Sequence, residues 1–110
     1  MSRDIFVFIE CKDDVPRKVS FELLSKGKEI TEKFSSTLYA VVMGYQVKGI
    51  TEVVRAFSDK VIVVDQEGLA DYRWDTYVQA MESLIRKYQP AMVFGASTVT
   101  GKDFFPRLAA

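Results

Sequence analysis

Leu38-Tyr-Ala-Val-Val-Met43 is apolar from end to end, and Gly44 closes it. Six residues are too few for a helix of ordinary length. The run is rich in β-branched and aromatic side chains and has no polar alternation, so it reads as a strand buried on both faces. Three more stretches have the same character: Ile5-Phe-Val-Phe-Ile9, Val61-Ile-Val-Val64 closing on Asp65, and Ala91-Met-Val-Phe94 behind Pro90. Between them the apolar residues fall at helical spacing. From Arg17, Val19, Leu23, Ile30 and Phe34 share a face, with Gly27 allowing close approach. Ile50, Val53, Val54 and Phe57 mark a short second helix. Trp74, Tyr77, Val78, Met81, Leu84, Ile85 and Tyr88 mark a third. Glu10 to Pro16 reads as a charged, solvated loop, and Gly68-Leu-Ala-Asp71 as a loop with a helix cap at its end.

Strands of this kind alternating with amphipathic helices predict an α/β domain. It would be an open doubly wound, Rossmann-like parallel sheet with helices on both sides, three layers in all. Its 110 residues suffice for one core. Fifteen basic and fifteen acidic residues cancel, so no overall field draws in nucleic acid or an anionic membrane. No apolar run approaches membrane-spanning length, and no signal peptide is expected. The lone Cys11 excludes an internal disulfide, and it has no histidine to activate it. The absence of histidine also removes Ser-His-Asp and Cys-His chemistry and most zinc sites.

In such folds ligands sit beyond the carboxyl ends of the strands, where the strand order reverses. If the first and fourth strands are neighbours there, the crevice lies between Glu10–Pro16 and Ala96–Lys102. Ala96, Ser97, Thr98, Thr100, Gly101 and Lys102 offer backbone amides, hydroxyls and one cation, and so form a candidate phosphate or nucleotide loop. The loop is not a Walker sequence. Ala96 stands where the first glycine belongs, and Asp103 replaces the magnesium-binding hydroxyl. A structural turn is the simpler reading, with Asp103 as helix cap and Pro106 in the first turn. A phosphorylation-receiver layout, drawing on Asp13, Asp14, Asp65 and Ser97 or Thr98, is a weaker alternative. The acidic pair lies several residues past Ile9, and the fifth strand ending in lysine is missing. Phe104, Phe105 and Leu108 form an apolar stripe suited to this sheet or to another chain.

The tail carries a resemblance. Gly101, Lys102, Asp103, Pro106, Arg107, Ala109 and Ala110 follow a Gly-Arg/Lys-Asp, two-residue spacer, Pro-Arg-x-Ala-Ala pattern. That pattern is similar to the end of the amino-terminal domain of the electron transfer flavoprotein alpha subunit. Val7-Phe-Ile-Glu10, Ser20-Phe-Glu-Leu-Leu24, Leu38–Gly44, Lys60–Asp65 and the Leu69-Ala-Asp71-Tyr72 turn also fit. Lys102 departs from the usual arginine, and Ala56-Phe-Ser-Asp59 from the usual Tyr-Gly-Ala-Asp.

The resemblance implies an adenine nucleotide alpha hydrolase-like domain, spanning residues 1–110, that serves as scaffold and subunit interface. Asp103, Phe104, Phe105, Arg107 and Leu108 would lie at that interface. The family's complete protein holds FAD mainly on a second, carboxy-terminal domain, which is expected to be missing here, so no cofactor is expected on this chain alone. The family's partners would be the electron transfer flavoprotein beta subunit and the FAD-binding domain of the alpha subunit. The setting would be bacterial or archaeal cytoplasm, or the mitochondrial matrix of a eukaryote. The chain would carry no catalysis of its own, and its abrupt close points to a fragment or a shortened relative. A stand-alone AMP- or ATP-binding domain is the alternative.

Overall fold

The computed structural model describes residues 3–12 and 15–95. The four apolar runs all form strands: β1 (Ile5–Phe8), β4 (Leu38–Gly44), β5 (Lys60–Asp65) and β6 (Met92–Phe94). They make one parallel sheet in the order β5-β4-β1-β6. Ile5 stands level with both Leu38 and Met92, and Gly44 with Asp65. Three helices connect them: α1 (Lys18–Phe34), α2 (Lys48–Val54) and α3 (Trp74–Tyr88). The chain steps outward from β1 through β4 to β5, then reverses to β6. Right-handed crossovers therefore put α1 and α2 on one face and α3 on the other. This is the three-layer doubly wound arrangement expected from the sequence.

Because strand side chains alternate, β1 feeds two separate cores. Ile5, Val7 and Ile9 pack with Leu24, Leu38, Ala40, Val42, Val47, Ile50 and Val54 beneath α1 and α2. Phe6 and Phe8 pack with Val41, Met43, Ile62, Tyr77, Val78 and Met81 beneath α3. Gly27 earns its place in α1. A Cβ there would lie 2.7 Å from Leu38 Cδ1, so any side chain at this position forces buried Leu38 to shift.

Three local expectations need correction. The Glu10–Pro16 segment is not simply a solvated loop. β2 (Cys11–Lys12) pairs antiparallel with β3 (Val15–Pro16) in a small hairpin, and Glu10 is buried. The innermost line of α1 is Ser20, Leu24, Gly27 and Thr31; Leu23 and Ile30 flank it, and Phe34 is exposed. Small polar residues close to the sheet shift the buried face by one position from the line drawn through the larger apolar ones. Asp71 does not cap α3 either. Arg73 occupies that position with no side-chain cap, and residues Glu67–Leu69 form a short 3₁₀ turn before it.

Carboxylates fasten the connections to the sheet. Asp4 accepts from Thr37 N–H at 3.0 Å, and Asp59 from Leu38 N–H at 2.9 Å. Asp59 also accepts from Lys28 Nζ at 2.6 Å, tying α1 to the turn before β5. At the opposite end Asp65 accepts from the N–H groups of Gln46 and Val47, at 2.7 and 3.2 Å. These bonds hold Gln46 in the left-handed region, at φ 56°. Asp65 is thus a turn fastener at the end of β5.

Candidate functional site

The strand order reverses between β1 and β6, so the expected crevice lies beyond the carboxyl end of β1. Its first wall, the segment after β1, is in place. The candidate loop residues Ala96, Ser97, Thr98, Thr100, Gly101 and Lys102 lie outside the described residues. So do the interface candidates Asp103, Phe104, Phe105, Arg107 and Leu108, and the acidic pair Asp13 and Asp14.

What the described residues form is a cavity of about 390 Å³ between the carboxyl ends of β1 and β4 and the turn that follows β5. Glu10 and Cys11 supply one side, Gly44 and Tyr45 another, and Tyr72 and Tyr77 a third. Glu10 extends the line of β1 and is only 6% exposed. Its backbone is fixed from two directions. Its N–H donates to Ser20 Oγ at 3.0 Å, and its carbonyl accepts from Arg17 N–H at 2.8 Å and from the Ser20 hydroxyl at 3.4 Å. Ser20 is fully buried on α1, so the hydroxyl links the first strand to the first turn of the helix. The Glu10 carboxylate meets Arg17 Nε at 3.5 Å.

Tyr77 stands on the buried face of α3. Its hydroxyl donates to Leu69 O at 2.8 Å, which locks the ring against the cavity and anchors the 3₁₀ turn. Burial pushes its phenol above the usual tyrosine value, and the neighbouring Cys11 and Asp71 add to the effect. The group therefore serves as a hydrogen-bond donor. Tyr72 packs edge-on against Tyr77, with ring centres 5.2 Å apart, and Tyr45 reaches solvent at the rim.

The described lining includes one acidic residue, Glu10, whose Oε2 is closed off from solvent, and no basic residue that would meet a phosphate. FAD does not fit these residues. The cavity is at the small end of ligand pockets, which run from roughly 300 to 1,000 Å³, and no lysine or arginine among its described lining residues would meet the diphosphate of FAD. Among the described residues no group of three metal-binding side chains converges. Sequence reasoning missed Glu10, Ser20 and the Tyr77 hydroxyl. One signal was present: Ser20 falls in period with Leu24, Gly27 and Thr31, which marks a polar side chain turned toward the sheet.

Comparison with known proteins adds an independent line. A sequence model of the electron transfer flavoprotein domain matches residues 5–110. The electron transfer flavoprotein subunit alpha of Clostridium acetobutylicum is 36% identical over 109 residues, 98% of this chain and 32% of that protein. The subunit of the same name in Syntrophomonas wolfei is 38% identical over 105 residues, covering 94% of this chain and 32% of its own length. The acryloyl-CoA reductase electron transfer subunit beta of Anaerotignum propionicum is 31% identical over 109 residues, 98% of this chain and 30% of its own. The chain thus spans about a third of the length of the curated relatives it matches.

Proposed function

The chain belongs to the electron transfer flavoprotein family, as the amino-terminal domain of an alpha subunit, and on that premise we propose that it acts as scaffold and subunit interface in a flavin-containing electron carrier. The carrier is a heterodimer with a beta subunit and passes electrons from dehydrogenases toward the respiratory chain. The observation that carries this reading is the family match over residues 5–110, nearly the whole chain. The FAD sits on the flavin-binding domain of the alpha subunit, outside these residues. The cavity supports that division of labour, since no described residue of its lining is basic and would meet a diphosphate. The flavin supplies the redox chemistry, while this domain supplies position. It performs no catalysis alone and works in the cytoplasm. No helix among the described residues is long and apolar enough to cross a membrane.

The test is reconstitution. The 110-residue chain is mixed with an electron transfer flavoprotein beta subunit and a separately produced alpha-subunit flavin domain. A stoichiometric, flavin-coloured complex that contains this chain supports the reading, with the chain alone colourless. A chain that binds FAD stoichiometrically by itself, or that stays out of the complex, overturns it.

A further inference from the structure

We propose that the open edge of β5 is a self-association surface, on which a second copy of this chain lays its own β5 antiparallel and joins the two sheets into one. Among the described residues β5 pairs on one side only, with β4, so its other side is an edge of the sheet. Strand edges are usually blunted by a proline, a bulge, an inward charge or short length. The opposite edge, β6, is three residues long. By contrast β5 has six residues, and between Lys60 and Asp65 it reads Val61-Ile-Val-Val64 without interruption. Its register with β4 is unbroken from Lys60 to Asp65, which leaves no bulge.

The ladder sets which backbone groups are free. Gln66 N–H donates to Gly44 O at 2.8 Å, so at the alternating period of a strand the groups of Val64 and Ile62 also face β4. Those of Val61 and Val63 point outward. A second β5 laid antiparallel, with Val61 opposite Val63 of the other copy, lets the valines exchange these groups in both directions. Their side chains then share one face of the joined sheet, where Val63 is 43% exposed in the single chain. Charge selects the antiparallel arrangement. Lys60 and Asp65 stand at opposite ends of β5, so each lysine comes to the aspartate end of the other strand. A parallel copy would bring like charge to like. Asp59, beside Lys60, already has Lys28 Nζ at 2.6 Å. The arrangement is two-fold and closed, so it stops at a dimer. Contact along a single edge is small, which makes that dimer weak and concentration-dependent.

The test is sedimentation of the full chain over a wide range of concentration, with amide hydrogen exchange followed residue by residue by NMR. The wild type should pass from monomer to dimer as concentration rises. Exchange at Val61 and Val63 should slow over the same range, while Ile62 and Val64, whose amides face β4, should not change. Val63→Pro removes an outward N–H and leaves the β4 ladder whole, so it should fold and weaken association by roughly tenfold or more. Val63→Lys, at the same exposed position, should do likewise and keeps the test open should the proline variant not fold. Lys60→Glu should weaken association a few-fold. Met92→Lys, on the opposite edge strand, should leave it unchanged. A chain monomeric at every concentration, a dimer indifferent to both Val63 variants, or one lost with Met92→Lys overturns the proposal. Neither the beta subunit nor a flavin domain enters this experiment, so its outcome is separate from that of the reconstitution.

Discussion

The two faces of the sheet are built from the same strands and solve the packing problem differently. Under α1 and α2 the centre is aliphatic: Ile5, Val7, Ile9, Ala40 and Val42, with rings (Phe21, Phe57, Phe94) only toward the margins. Under α3 the centre is aromatic. Phe6 lies edge-on to both Tyr39 and Tyr88, with ring centres 5.5 and 5.9 Å away, and Phe8 lies 6.4 Å from Tyr77. Two helices share the first face and come close to it, which demands small side chains and Gly27. A single helix covers the second, so wide rings span the space it leaves. Close approach and large rings are alternative ways to reach the same interior density.

The aromatic face should therefore fail by truncation and the aliphatic face by enlargement. Phe6→Ala tests the first. Deleting a fully buried ring should cost about 3–5 kcal/mol in chemical denaturation, the largest effect here. A loss under about 1 kcal/mol would mean that the rings on this side do not bear on one another. Gly27→Val tests the second. The new side chain collides with buried Leu38, and overpacking of this kind costs about 1–3 kcal/mol. The matching enlargement on the other face, Ala80→Val on half-buried α3, should stay within about 1 kcal/mol. Equal costs at the two sites would erase the contrast.

Two smaller changes sharpen it. Tyr77→Phe keeps the ring and removes the bond to Leu69 O, at about 0.5–1.5 kcal/mol. Its pH signature has a definite sign. The folded phenol titrates above the unfolded one, so this group's contribution is complete below the unfolded value and is lost as pH rises through the folded one. Alkaline melting curves of the wild type and the Phe variant should converge accordingly. The smallest effect belongs to Asp59, beneath the aliphatic face. Burial alone would raise its carboxyl, but Lys28 and the Leu38 N–H together hold it below the usual range. Its contribution is then present above the unfolded carboxylate value and lost as pH falls through the folded one. Because the ion pair is partly exposed and screened, Asp59→Asn should only flatten the acid limb of a melting-temperature profile. An unchanged acid limb would remove the Lys28–Asp59 bond from the account.

Much of this architecture was legible in the sequence. Four continuous apolar runs gave the strands, and helical spacing gave α1, α2 and α3. The adjacency of β1 and β6 was needed to place the crevice, and the sheet order supplies it. What escaped was the pattern inside Ile5-Phe-Val-Phe-Ile9. Read as uniformly apolar, it hides an alternation of branched and ring side chains that sorts the two faces. The site was harder. Glu10 sits among Lys12, Asp13, Asp14 and Arg17, where charges nearly cancel and suggest solvent. Its backbone is held by Ser20, ten residues away, reaching back across the strand end. Only the folded chain makes that pairing visible, because nothing in local charge or spacing distinguishes Glu10 from its neighbours. The strong tail motif identified the family, whereas its loop and interface residues remain proposals.

Trp74, the single tryptophan of the chain, opens α3 and is 48% exposed, between Tyr72 and Tyr77 in sequence. The molecule therefore carries one long-wavelength fluorophore, placed in the helical turn that flanks the cavity wall. Its emission colour and quenching report the state of that turn without a competing signal from the rest of the fold. A partner or ligand that settles on this end of the sheet announces itself as a shift in light.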